Sequence, residues 1–125
     1  MKSWEIKELE VRPGRPEIVA STADARAIVL ALPAGQSLDD HQVHERAWLT
    51  VIEGEIAVAA SGGSLIGGPG LLVEFDPEER HRVEARADAR LLLLLTPWPG
   101  AGHPGAMSIG EKAEVRERAA AKGET

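Results

Sequence analysis

The stretch GQSLDDHQVHERAWLTVIEG, residues 35–54, decides the fold because it combines a turn, a group of polar side chains and a strand. It opens with turn-forming residues and closes on AWLTVIEG, an apolar run typical of a β-strand. Between these parts lie His41 and His44, three residues apart, and Glu45 follows directly. Imidazole and carboxylate groups next to a strand are candidate metal ligands.

Most of the remaining chain consists of short β-rich runs separated by glycine and proline, namely EIVAST, ARAIVLAL, LLVEF, HRVEAR and ADARLLLLLT. The run AWLTVIEGEIAVAA contains two strands joined by a tight connection at Gly54. The leucines at 91–95 predict a strand buried on both faces, and WEIKELEV at 4–11 predicts a further strand. Many short strands with regular turns predict an all-β sandwich or barrel.

The C-terminal tail has a different character. Ser108 and Glu111 fit a capping box, in which each side chain satisfies a backbone N–H at the start of a helix. Gly123 is a natural stop, so we expect a short α-helix over 108–122. Its apolar face is small, which leaves two alternatives open: a lightly packed surface helix, or a contact in an oligomer.

Composition narrows the function classes. The chain has 125 residues, enough for one domain, and carries 14 basic against 20 acidic residues, a net charge of −6. With no basic patch and few aromatic residues, nucleic acid is not an expected partner. The charged start argues against a signal peptide, and no apolar run is long enough to cross a membrane. The absence of cysteine is compatible with a reducing compartment, so we expect a cytoplasmic location.

Residues 35–54 resemble the first motif of the cupin superfamily. That motif runs glycine, five residues, His-x-His, three or four residues, glutamate, six residues, glycine. Gly35, His41 and Gly54 stand at three of its positions. The match is partial, because the positions of the second histidine and of the glutamate hold other residues.

Residues 70–85 are similar to the second cupin motif, which runs glycine, five residues, Pro-x-Gly, two residues, histidine. Gly70 and His81 match this motif, whereas Asp76 and Glu78 replace its proline and second glycine. Two such motifs in order on a β-rich chain identify a suspected small, single-domain bacterial cupin with degenerate metal motifs.

The resemblance implies that residues 1–125 form one domain, a double-stranded β-helix or jelly-roll barrel, with N-terminal strands over 1–34 and the short C-terminal helix. In that family the barrel mouth holds one metal on two histidines and a glutamate of the first motif and a histidine of the second. Such ligands suit iron, manganese, nickel or zinc. Small cupins are commonly dimers, so a homodimer is expected by analogy, with the N-terminal strand extending a neighbouring subunit's sheet.

Two ligand positions of the first motif hold no ligand atoms. Val43 stands where the second histidine is expected, and Ala47 stands where the glutamate is expected. Strand alternation points both side chains toward the pocket. We therefore predict a pocket lined by Val43, Ala47 and Trp48, because ligand pockets are mostly apolar.

The metal hypothesis uses His41, His44 and His81, since three ligands with an open position are chemically adequate. His44 follows its motif position by one residue, so strand alternation directs it outward unless a bulge or turn re-aims it. The alternative is that His44 is an exposed residue paired with Glu45 or Asp40. In that case the site is degenerate and holds either no metal or a weakly bound one.

Charged residues around the motifs are expected at the surface. Glu45 and Arg46 are predicted to form a surface ion pair, with a contact to a ligand at the rim as the alternative. The acidic residues of 74–79 are predicted to form a solvated turn; alternatively, one carboxylate supplies a missing ligand or a general base.

Three functional hypotheses follow from these residues. The first is a cupin that binds a small molecule at the barrel mouth, with or without a divalent metal. The second is a metal-dependent dioxygenase or isomerase acting on a small polar metabolite. The third is a structural or regulatory dimer module without chemistry of its own.

Overall fold

The structure is a computed structural model that describes residues 1–100, without the side chains of residues 40 and 41. The described part contains strands and no helix, which confirms the all-β prediction; the helix predicted over 108–122 lies outside the described residues. The strands are β1 (Glu17–Ser21), β2 (Arg26–Leu32), β3 (Ser37–His41), β4 (Arg46–Glu53), β5 (Ile56–Ala60), β6 (Gly63–Gly67), β7 (Leu72–Phe75), β8 (His81–Ala85) and β9 (Ala89–Thr96). Within residues 1–100, no helix is long and apolar enough to span a membrane.

Two antiparallel sheets face each other and form the predicted jelly-roll barrel. One has five strands in the order β1-β2-β9-β4-β7, and the other has four in the order β3-β8-β5-β6. Strands that are distant in sequence are neighbours in each sheet, so β9 lies between β2 and β4, and β8 lies between β3 and β5. The two motif segments therefore contribute strands to both sheets and meet at one end of the barrel.

The core lies between the sheets because each strand alternates between an apolar inner face and an outer face. In β4 the residues Ala47, Leu49 and Val51 are buried, and in β9 the residues Leu91 and Leu95 are buried. This alternation fixes which side chains face the interior of the barrel.

The leucine run of β9 is not buried on both faces as predicted. Leu91 is fully buried on the inner face, whereas Leu94 on the outer face remains 40% exposed. Five consecutive leucines obscure the alternation that would have revealed an outer face.

The N-terminal segment does not form the strand predicted at 4–11. The guanidinium of Arg90 donates hydrogen bonds to the carbonyl oxygens of Ile6 and Leu9, at 2.8 and 2.7 Å. These contacts hold the segment in turns against its own domain, and Pro13 makes an isolated bridge to Ala31 of β2. The predicted strand is therefore absent from the single chain, where the side chain of Arg90 takes two of its carbonyl groups. Its pairing with a neighbouring subunit's sheet stays a prediction.

The register of the strands defines two ends of the barrel. At one end, called the mouth, His41 pairs with His81 and His81 pairs with Ala60, so one row crosses β3, β8 and β5. Phe75, the last residue of β7, lies at the same end. At the opposite end, called the far end, β4 leads into β5 through Gly54, whose φ of +83° confirms the predicted tight connection.

Candidate functional site at the barrel mouth

His81 is a buried histidine at the start of β8, with 6% of its surface exposed. Its ring stacks on Phe75 with centroids 3.8 Å apart and planes 9° from parallel. Its Nδ1 lies 3.0 Å from the carbonyl oxygen of Glu79; because a carbonyl can only accept, Nδ1 carries the proton. Burial lowers the pKa of His81 below its ordinary value of 6.5, opposed by the hydrogen bond to Glu79 and by the charge of that residue.

His41 and His81 are brought together by the sheet. They are register partners across β3 and β8, immediately beyond a β-bulge or irregularity between Leu38 and His41. Only the backbone position of His41 is described. The placement of these two histidines at the mouth agrees with the position that the two motifs imply.

His44 lies between β3 and β4, outside any strand, and has a partner that the sequence did not predict. Its Nδ1 is 3.3 Å from Oε1 of Glu78, and its side chain is 22% exposed. The backbone holds the same two segments together, because the N–H of Glu78 donates to the carbonyl of Val43 at 2.8 Å. His44 is therefore directed toward the turn before β8, where Glu78 is a carboxylate partner that the sequence did not predict. The predicted pairing with Asp40 stays a prediction, because the side chain of residue 40 is not among those described.

The three residues predicted to line the pocket occupy two different environments. Val43 and Ala47 belong to the hydrophobic core, with 6% and 1% of their surfaces exposed. Trp48 alternates with Ala47 and Leu49 along β4, so it lies on the outer face, half-buried, and pairs with Leu94 in register. Val43 and Ala47 do face inward, as strand alternation predicts, but they fill the barrel interior.

Glu45 is a buried carboxylate, although the sequence pattern predicted it at the surface. It is 1% exposed, and its Oε2 accepts a hydrogen bond from the N–H of Gly100 at 2.7 Å. The predicted ion pair with Arg46 is wrong, because Arg46 instead binds Glu74 at 2.7 Å and Asp76 at 2.6 Å. The hydrogen bonds that Arg46 donates to Asp76 and Glu74 raise the pKa of its guanidinium.

The alternation of inward-facing and outward-facing residues along the chain would have identified Glu45 as a buried residue. Residues 43, 45 and 47 are buried in turn, and residues 42, 44 and 46 are half-buried between them. The parity that points Val43 and Ala47 inward applies equally to Glu45. The residue that Glu45 binds, Gly100, is far along the chain, and no local pattern predicts that contact.

A cavity of about 280 Å³ opens between β5 and β6 on one side and β7 on the other. Ala60, Phe75 and Glu79 are part of its wall, which places it at the mouth. Its other described lining residues are Val58, Gly62, Gly63, Ser64, Leu65, Val73 and Glu74. The wall is thus mostly small or apolar, and its two charged residues are both acidic.

Phe75 links this cavity to the buried histidine, because it lines the cavity and stacks on His81. Glu79 is fixed in the wall: its Oε1 accepts from the N–H of Asp76 at 2.9 Å, and its Oε2 accepts from the hydroxyl of Ser61 at 3.1 Å. A carboxylate oxygen can accept more than one hydrogen bond, so Glu79 can also receive a donor from a ligand.

The described residues do not fit the four-ligand metal centre that the motifs imply. Val43 and Ala47 carry no ligand atoms, and His44 is directed toward Glu78. Among the described side chains, which do not include His41, no three His, Asp or Glu residues come close enough to hold a metal ion. The predicted set of His41, His44 and His81 stays a prediction, with one backbone pairing in its favour.

Comparison with known proteins extends the sequence resemblance. The family model described as "Cupin domain" matches residues 28–97, which is more than half of the chain. No curated protein matches the sequence. The matched range contains both motif segments through His81 and the strands that carry Val43, Ala47 and Phe75.

Solved structures share the fold. An RmlC-like cupin from Desulfovibrio desulfuricans is 24% identical with a TM-score of 0.67, covering 78% of this chain and 97% of its own. TT1209 from Thermus thermophilus is 20% identical with a TM-score of 0.69, covering 78% and 98%. KdgF from Halomonas sp. is 25% identical with a TM-score of 0.62, covering 71% and 85%.

Proposed function

This chain belongs to the cupin family, and on that premise we propose that it binds a small molecule in the cavity at the barrel mouth. The observation that carries the proposal is the composition of the cavity wall, which is apolar apart from Ser64, Glu74 and Glu79. Ligand pockets generally combine an apolar wall with a few polar groups that orient the ligand. The volume of about 280 Å³ lies near the lower end of the roughly 300–1,000 Å³ usual for such pockets, which favours a small metabolite.

The charges of the wall favour a ligand that donates hydrogen bonds. Glu74 is shared with Arg46, whereas Glu79 accepts hydrogen bonds from two neutral donors, the hydroxyl of Ser61 and the N–H of Asp76. A carboxylate near an apolar wall attracts an amine or a hydroxyl group and repels an anion. We therefore propose an amine or alcohol with a compact apolar body as the ligand class.

Calorimetric titration with benzylamine, benzyl alcohol and benzoate tests this class on untagged protein. We expect benzylamine to bind at least about tenfold more tightly than benzoate, a difference of about 1.4 kcal/mol. The substitution Glu79→Gln should reduce that preference because it removes the negative charge. Equal binding of benzylamine and benzoate would contradict the proposal.

A pair of alanines on β5 gives a matched control for the position of the site. Ala60 lines the cavity, whereas Ala59 is exposed on the opposite face of the same strand. Ala60→Phe should fill the cavity and abolish binding, and Ala59→Phe should leave binding unchanged. Binding that survives Ala60→Phe would place the ligand elsewhere.

The metal-dependent alternative, a dioxygenase or isomerase, has one specific observation in its favour. His41 and His81 are register partners, and Nδ1 of His81 donates to a backbone carbonyl, an arrangement that orients metal-binding histidines in many proteins. Bound iron, manganese, nickel or zinc would supply Lewis-acid or redox chemistry at the mouth. His44 would have to leave Glu78 to become the third ligand.

Metal analysis by mass spectrometry on untagged protein tests this alternative. If it holds, the protein retains near-stoichiometric metal through dialysis, and His41→Ala or His81→Ala abolishes the uptake. His103→Ala serves as a control, since no motif assigns a ligand role to this histidine. Metal content that is unchanged in the His41 and His81 variants would rule the alternative out.

A further inference from the structure

The edge strands of the two sheets differ in how they are protected against pairing with another chain. In the described part, the edges are β1 and β7 of the five-stranded sheet and β3 and β6 of the four-stranded sheet. An edge strand presents unpaired N–H and C=O groups, and natural proteins usually protect it with charges, proline, bulges or short length.

Two of the edges are interrupted by irregular pairing. The pairing of β1 with β2 shifts between Ile18 and Ala20, and the pairing of β3 with β8 shifts between Leu38 and His41. In β3, Asp39 also places a charge on the edge, where it binds Arg82. Both strands therefore carry features that discourage a further strand.

The third edge, β7, is protected by charge and by length. It has four residues, and Glu74 within it is paired with Arg46. Asp76 and Pro77 follow directly, and the missing N–H of a proline prevents the ladder from continuing there.

The fourth edge, β6, is also short, with five residues, but it lacks the other protective features. Its sequence, GSLIG, contains no charge and no proline, and it pairs with β5 in continuous register from Ile56 opposite Gly67 to Ala60 opposite Gly63. Leu65 and Ile66 are 43% and 56% exposed. Within residues 1–100, no hydrogen bond outside the β5 ladder reaches the backbone of β6.

We propose that β6 pairs antiparallel with β6 of a second copy of this chain, joining the two four-stranded sheets into one of eight strands. The argument for this pairing does not use the proposed ligand, although Leu65 of β6 also lines the cavity. The pairing places Leu65 opposite itself on the two-fold axis and Gly63 opposite Gly67, so the short strand is complementary to its own copy. Each copy then satisfies the outer backbone groups of the other and covers the exposed part of Leu65.

The charge of the chain favours a second copy, rather than a charged peptide, as the partner that pairs with β6. The chain carries a net charge of −6, and most of its surfaces would repel a second copy. Residues 56–73 form an uncharged stretch that includes β6, so the strand itself adds no like charges to the contact. The two acidic residues that share the cavity wall with β6, Glu74 and Glu79, are bound by Arg46 and by Ser61. The same lack of charge gives a charged peptide nothing to recognise.

Sedimentation equilibrium on the full, untagged chain tests the pairing. We expect a mass twice the 13.3 kDa of one chain, and Ile66→Lys should reduce it to that of the monomer. Ile18→Lys is the matched control, because Ile18 also lies on an edge strand and has the same 56% exposure as Ile66. It should leave the dimer intact. A monomeric wild type, or a dimer that persists in Ile66→Lys, would overturn the proposal.

A cysteine substitution tests the register directly. The chain contains no cysteine, so Leu65→Cys introduces a single thiol in each copy. Opposed residues of an antiparallel pair have Cα atoms roughly 4.5–5.5 Å apart, within the range of a disulfide. Oxidised Leu65→Cys should run as a covalent dimer on a non-reducing gel, whereas Ile18→Cys should not. Failure of Leu65→Cys to cross-link, or equal cross-linking of both variants, would overturn the proposal.

Discussion

The two ends of the barrel are closed by different kinds of contact. At the far end, a carboxylate oxygen of Asp88 accepts the N–H of Ala34 at 2.9 Å, and Gly54 packs against the carbonyl of Asp88. At the mouth, Glu45 and His81 are the two buried ionisable residues of the described part. The far end thus depends on close backbone packing, whereas the mouth depends on polar side chains placed inside the barrel.

This difference supports the proposal that the mouth is the ligand-binding end. At Gly54 the backbone packing leaves no room even for a Cβ atom and so fixes the residue as glycine. Buried polar side chains are costly unless they are hydrogen-bonded, and Glu45 and His81 both have partners, Gly100 and Glu79. A cavity beside such groups can be adapted to different ligands without disturbing the packing of the far end.

The largest expected loss of stability is at the far end, for the substitution Gly54→Ala. A Cβ atom at Gly54 would collide with the carbonyl oxygen of Asp88, and the φ of +83° is unfavourable for alanine. We expect a loss of about 3 kcal/mol in the free energy of unfolding, measured by urea denaturation. Gly35→Ala is the control, because Gly35 has a φ of +86° with no atom near its Cβ position. It should lose only about 1 kcal/mol, and equal losses would contradict the packing at Gly54.

A smaller effect is expected at the mouth, for Glu45→Ala. Removing the carboxylate leaves the buried N–H of Gly100 without its acceptor, which should cost about 2 kcal/mol. Glu45→Gln keeps an oxygen that can accept this hydrogen bond, so its loss should be below about 1 kcal/mol. Urea denaturation of both variants checks the difference. If they are equally stable, the hydrogen bond to Gly100 does not stabilise the mouth.

Much of the fold could be predicted from the sequence, because local patterns determine it. The apolar alternation of β4, the glycine turn at Gly54 and the spacing of the two motifs define the strands and their order. These features depend on residues close together in the chain, where the steric preferences of the backbone act directly.

The site was harder to predict because its contacts join distant segments. His44 lies 34 residues before Glu78, and Glu45 lies 55 residues before Gly100. The cavity lies between edge strands of different sheets, so its wall depends on how the sheets pack. The strand predicted at 4–11 is absent from the single chain for the same reason, since Arg90 takes two of its carbonyl groups from across the fold.

The smallest expected effect is the pH dependence contributed by His81. Burial lowers its pKa in the folded protein below the ordinary value of 6.5, so the unfolded chain binds the proton more readily. The contribution of His81 to stability is therefore complete above pH 6.5 and is lost as the pH falls toward its folded pKa. Unfolding free energies measured between neutral and mildly acidic pH should decline less in His81→Gln than in the wild type. An identical decline would contradict the burial of His81.

The most direct test of the mouth as the ligand-binding end is a ¹H–¹⁵N NMR titration of the untagged protein with benzylamine. We expect progressive shifts of the amides of Ser64, Phe75 and Glu79, which line the cavity. The far-end amides of Gly54 and Asp88 should stay in place. Shifts that centre on the far end, or no saturable shifts at the mouth, would contradict binding at the mouth.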